Sequence, residues 1–183
     1  MAETIEYEVV KNWGAVEVRR YPPLVLATVN SSYDDIAFSI LFKYISGYNE
    51  AGGKLAMTAP VISPAPGERM AMTAPVLSDD GGFSFVLPSG TDIANAPRPL
   101  DARVTLSAVP SRFVAVLRFG GKAYLRDVLE REGALLKVLR ERGVGTKGRP
   151  FLMRYNSPFI PGFLRRNEVA VEIEEEDISK GGA

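Results

Sequence analysis

Two methionines hold matching places in a near-perfect tandem repeat. Leu55-Ala56-Met57-Thr58-Ala59-Pro60-Val61 is followed by Met70-Ala71-Met72-Thr73-Ala74-Pro75-Val76. Thioether sulfur is a soft donor that can bind iron, and Met70 and Met153 would add to such a set. Methionine in a strand more commonly fills a core. That reading leads here, and no metal ligand is assigned. Carboxylates pair at Asp34/Asp35 and at Asp79/Asp80. The first pair suits a helix N-terminus and the second a turn, and neither sits in a motif for general acid–base work. Gly120-Gly121-Lys122 precedes a helical pattern and could hold an anion, but a tight strand-to-helix turn accounts for it. There is no P-loop and no dinucleotide fingerprint. No catalytic residue is assigned, and the expectation is a protein that is not an enzyme.

What the chain lacks narrows the chemistry further. Its 183 residues include no histidine and no cysteine. Disulfides, thiolate nucleophiles, Ser-His-Asp and Cys-His catalysis and the usual zinc sites are therefore excluded. Lys plus Arg and Asp plus Glu both number 22, so the formal net charge is zero. That balance lacks the electrostatic footprint of a non-specific nucleic-acid binder and predicts no polybasic membrane patch. The N-terminus has no basic region followed by an apolar run, and no stretch approaches the ~20 apolar residues of a membrane span. The expectation is a soluble, cytoplasmic protein, with a monomer favoured.

The aromatic pair Phe38 and Phe42 requires a helix to bring it together, because residues four apart share a face. The pattern predicts that helix from Ser32, as N-cap, to about Ser46, ending at Gly47. Ala37, Ile40, Leu41, Tyr44 and Ile45 form one apolar stripe, and Phe38 and Phe42 form a second. Either both stripes are core or the Phe38/Phe42 face lines a ligand groove.

Around the helix the sequence predicts strands over 7–10 and 15–19, a hairpin turning at Gly14, and a third strand over 24–30. The two repeat copies read as an antiparallel pair, each proline requiring an edge, an end or a bulge. Strands follow over 83–87, 104–109 and 113–119. A second helix over about 122–142 has an apolar face of Leu125, Val128, Leu129, Leu136 and Leu139, with a kink at Gly133. Strands over 149–155 and 168–173 close the pattern, and the acidic 174–177 run reads as a solvated tail. The order of strands, helix and strands occurs twice. It predicts an α+β fold of two similar halves, about 1–88 and 100–175, each with one helix on a curved antiparallel sheet.

These segments resemble the SOUL/haem-binding family over nearly the whole chain. Tyr7-Glu8-Val9 through Val16-Glu17-Val18-Arg19-Arg20-Tyr21 resembles its opening. Ala37-Phe38 through Tyr48-Asn49 is similar to its first helix and exit. Lys54 to Val61 is similar to its most recognisable signature, and Tyr155-Asn156-Ser157-Pro158 with Arg165-Arg166-Asn167-Glu168-Val169 to its C-terminal one. The resemblance implies one SOUL-type domain over 1–183, a distorted antiparallel β-barrel of two βαβ-type halves with two helices. It implies non-catalytic binding of haem or a related tetrapyrrole (or a porphyrin) in an apolar groove beside the first helix. Carried over, Phe38 and Phe42 contact the macrocycle and Lys43 meets a propionate. Some members carry a histidine, proposed as axial ligand, where this chain has Arg20, so histidine ligation is excluded here. The alternative is an effector-binding module, or a hydrolase-like protein, for another amphipathic or aromatic ligand.

Overall fold

The computed structural model describes residues 3–64, 82–156 and 159–180. The second repeat copy, with Met70 and Met72, and the Asp79/Asp80 pair lie outside them. The hairpin is β2 (Glu8–Trp13) and β3 (Val16–Tyr21), following the short β1 (Glu3–Thr4). Gly14 takes φ 70° at its turn, a left-handed conformation that glycine adopts at no steric cost. Pro22-Pro23 ends the pairing, and β4 (Leu24–Val29), α1 (Asp34–Ile45), β5 (Thr58–Pro64) and β6 (Phe83–Val86) follow. The second half repeats the plan with β7 (Val104–Val109), β8 (Arg112–Gly120), α2 (Leu125–Glu141), β9 (Thr146–Arg154) and β10 (Arg166–Ile173), before α3 (Glu175–Lys180).

The strands run β2-β3-β8-β10-β9-β5-β6-β4-β7, with β1 against β5. Exchanging β3-β4-α1-β5-β6 for β7-β8-α2-β9-β10 turns the order from β3 to β7 into its own reverse. The predicted pseudo-two-fold plan is therefore written in the ladder, and the first strand of each half crosses over: β3 pairs β8, and β7 pairs β4. The sheet is open, because the end strands β2 and β7 do not pair among the described residues. Alternation along the strands divides the interior into three cores. Val25, Ala27, Val29, Phe83 and Phe85 pack under α1, and Ala115, Leu117, Val169 and Val171 under α2. The other sheet face, with Leu26, Val86, Val114, Val116 and Met153, joins the halves. No helix among the described residues is long and apolar enough to cross a membrane.

The first repeat copy meets its proline requirement through a bulge: over Thr58–Ile62 the two sides of β5 are taken by β6 and by β1 and β9. Pro60 is accommodated because the register shifts between Thr58 and Val61. Three other expectations change. Ser32 does not cap α1. Tyr33 precedes the helix in extended backbone, and its N–H donates to Ser31 Oγ at 3.1 Å. α2 runs through Gly133 as one helix and buries Val128, Leu135 and Leu139, whereas Leu125 and Leu129 are exposed. The acidic run is not merely solvated: it opens α3, where Asp177 accepts the Gly145 N–H at 2.9 Å and Ile178 packs against the α2 core.

Candidate ligand-binding site

The two stripes of α1 have different fates. Ala37, Ile40, Leu41, Tyr44 and Ile45 are buried. Phe38 is half-buried, its ring edge-on to Phe85 at 5.3 Å and to Phe83 at 6.4 Å. Phe42 stacks on Phe38, centroids 6.0 Å apart and planes within 10°, yet remains 49% exposed. Phe38 thus roots the pair in the core, and Phe42 presents an aromatic surface. Lys43, also exposed, leaves the helix about 100° further round. It lies within electrostatic reach of Asp101, which Arg103 holds through hydrogen bonds of 2.7 and 2.9 Å. The structure therefore brings Phe38 and Phe42 together but sets Lys43 on the opposite flank. Ser39 and Ser46, both small and exposed, occupy the crest between them.

The exit of α1 explains the Tyr-Asn signature. Asn49 is buried, and its side-chain N–H groups donate to the carbonyls of Tyr44 at 3.0 Å and Gly53 at 2.9 Å. The Tyr44 hydroxyl donates to the Pro97 carbonyl at 2.8 Å, and the Leu55 N–H to Ile45 at 2.7 Å. These bonds hold α1 against the loops at its end and fix the height at which Phe42 stands. Met57 packs against the core under α1 and Met153 against the inter-half core, so both follow the packing reading. No cluster of acidic, histidine or cysteine side chains suited to a metal occurs among the described residues.

Sequence reasoning missed a buried charge network. Glu168 on β10 is fully buried. Arg19 on β3 donates to both of its oxygens, at 2.7 and 3.0 Å. Arg166 donates to Oε1 at 2.6 and 3.0 Å, and the Tyr155 hydroxyl to Oε2 at 2.7 Å. The Arg19 guanidinium lies over the Tyr7 ring, and that of Arg166 over Tyr155, each at 4.1 Å. Burial opposes the Glu168 charge, but Arg19 first, then Arg166 and Tyr155, outweigh it and hold the carboxyl below its ordinary range. Burial pushes the Tyr21 and Tyr155 phenols up. A carboxylate offers about four lone-pair directions, and these donors occupy them. This network fastens β3 to β10.

Arg20 is on a different surface. It pairs with Glu8 at 3.1 Å on the first hairpin, beside an open cleft of about 440 Å³ also lined by Tyr7, Tyr21 and Pro22. Its same-face strand neighbours, Val16 and Val18, pack in the core under α2 and not under α1.

The sequence pattern of the family described as "SOUL heme-binding protein" matches residues 2–172. The chain is 33% identical over 164 residues to human "Heme-binding protein 2", covering 85% of this chain and 77% of that protein. Among solved structures, the C-terminal domain of EcmrR superposes with a TM-score of 0.57 at 12% identity, covering 92% of this chain and 98% of that one. A hydrolase from Listeria innocua superposes with a TM-score of 0.54 at 8% identity, covering 87% and 91%. At those identities the two structures share the fold alone. The match over nearly all of the sequence and the human relative show more: this chain belongs to the SOUL heme-binding protein family.

Proposed function

We propose that the chain binds haem or a related tetrapyrrole on the exposed side of α1, as a non-catalytic carrier or buffer, with no histidine on the iron. The observation that carries this reading is Phe42, an aromatic ring held open to solvent by stacking on a Phe38 that is itself rooted in the core. A macrocycle laid against Phe42 passes over the small Ser39 and Ser46 and reaches Lys43 with a propionate. The crest separating the aromatic flank from the cation is then the width that the ring bridges. The residues present fit the ring and its carboxylates. Histidine and cysteine are absent from the chain and Met57 packs against the core under α1, so this reading assigns the iron no ligand.

The site's two kinds of contact are separable. An exposed ion pair contributes about 0.2–1 kcal/mol, so reversing the charge in Lys43→Glu weakens hemin binding by roughly fivefold. Binding of the dimethyl ester of protoporphyrin, which has no carboxylates, stays within about twofold. Parallel titrations followed by visible absorbance measure both, and equal loss for the two ligands would remove Lys43 from the propionate role.

A further inference from the structure

α2 carries an apolar line that its own core does not use. Val128, Leu135 and Leu139 point inward. At about 100° per residue, Leu125, Leu129 and Leu136 fall on a second line beside them, and Leu125 is 60% exposed. The loop before β10 adds Phe163 and Leu164, 82% and 62% exposed. The two features adjoin. The Lys122 stem lies against Gly162, where an added Cβ would meet its Cγ at 2.6 Å. From Lys122 the chain spans at most about 10 Å to Leu125, with the exposed Tyr124 between. Large apolar side chains gathered at this exposure mark an interaction surface.

Charge says what kind. The whole chain is neutral, but Lys122, Arg126 and Arg165 gather in segments 119–126 and 159–167, where the further cation, Arg166, is engaged by the buried Glu168. On the outer side of the leucine line the exposed Arg126, Lys137 and Arg140 come before the carboxylates Glu130 and Glu141; on the inner side, between the two apolar lines, lies the half-buried Glu132. Zero net charge therefore conceals a local basic border along an apolar ridge, contributed by two segments some forty residues apart in sequence. Aromatic and leucine side chains on a loop and a helix start, edged on the outer side by cations, are the chemistry of an anionic bilayer interface.

We propose that this face docks on the surface of an anionic lipid bilayer, with Phe163, Leu164, Tyr124 and Leu125 entering the headgroup region and Lys122 and Arg126 meeting lipid phosphates. The face belongs to the half opposite α1, and the proposal does not depend on the ligand bound there. The test is flotation of the full chain with phosphatidylcholine vesicles containing roughly 30% phosphatidylserine, and with phosphatidylcholine alone. Binding is expected only to the anionic vesicles and weakens as salt rises. Phe163→Ser/Leu164→Ser lowers it at least tenfold, and Lys122→Glu/Arg126→Glu abolishes its lipid selectivity. These side chains are exposed, so both variants keep the wild-type circular dichroism and melting temperature. The proposal is overturned by absence of flotation with anionic vesicles, or by binding that neither variant changes. It is equally overturned by a dimer in sedimentation velocity that Phe163→Ser/Leu164→Ser dissociates, because the face would then be covered by a second copy.

Discussion

Arg19→Met lowers the free energy of unfolding by about 3–5 kcal/mol, the range for breaking a buried ion pair by removing one partner. Arg19 and Glu168 are both buried, and their two-pronged contact joins strands 149 residues apart in sequence. Removing the guanidinium leaves Glu168 with Arg166 and Tyr155 but strips a donor from each oxygen. Glu168→Leu costs as much for the opposite reason, because it leaves two cations without their shared anion. The double variant Arg19→Met/Glu168→Leu recovers part of the loss, since an apolar pair needs no compensating charge. Urea denaturation of the four proteins measures the cycle, and single losses below about 1 kcal/mol would show that the network contributes little. The acid limb tests the same group. Glu168 titrates below its ordinary value of 4.5 when folded. Its contribution is therefore complete above that value and disappears as pH falls through the lower, folded one. Wild-type stability declines in that acid window, and the Glu168→Leu variant, weaker throughout, shows a shallower decline there.

Phe42→Ala lowers tetrapyrrole affinity by about 10–100-fold, the sum of one aromatic contact and the apolar area that it covers. Stability changes by less than about 1 kcal/mol, because Phe42 is half open to solvent already. Phe38→Ala behaves in the other sense. It removes edge contacts to Phe83 and Phe85 and opens space beneath α1, costing about 2–4 kcal/mol of stability, somewhat less than a fully buried phenylalanine. Its effect on binding is indirect, through the tilt of Phe42. Equilibrium unfolding together with porphyrin titration separates the two. Equal stability losses for both variants would place Phe42 in the core and remove the binding surface.

The difference between those neighbours shows how much of the site was legible in the sequence. Helical spacing puts Phe38 and Phe42 on one stripe, but it does not say that Phe83 and Phe85 of the sheet lie against the first ring and leave the second open. The same limit separated Leu125 and Leu129 from the buried face of α2. A wide apolar arc reads as one face until the sheet beneath selects part of it. The repeated strand-helix-strand order was legible because period and turn residues are local signals, and it carries the two-half plan. The exchange of β3 and β7 between halves is long-range and has no local signal. Neither has the Arg19–Glu168 pairing. In β3 the charged Arg19 and Arg20 are adjacent, so alternation alone cannot say which of them points inward. Glu174 to Asp177 was read as a tail because an acidic run has no apolar period. Ile178, the apolar side chain of α3, packs it against the α2 core, and Asp177 adds the bond to Gly145.

The measurement that reaches the central claim most directly is a paired titration of the purified chain with hemin and with metal-free protoporphyrin, followed by visible absorbance. Trp13, buried under α2 away from α1, gives an independent fluorescence signal. A site that grips the ring through Phe42 and the carboxylates through Lys43, without an iron ligand, binds both one to one with dissociation constants within about threefold, less than 1 kcal/mol apart. Hemin binding tenfold or more tighter than protoporphyrin would show that a side chain coordinates the iron, and saturable binding of neither would remove the tetrapyrrole from α1 altogether.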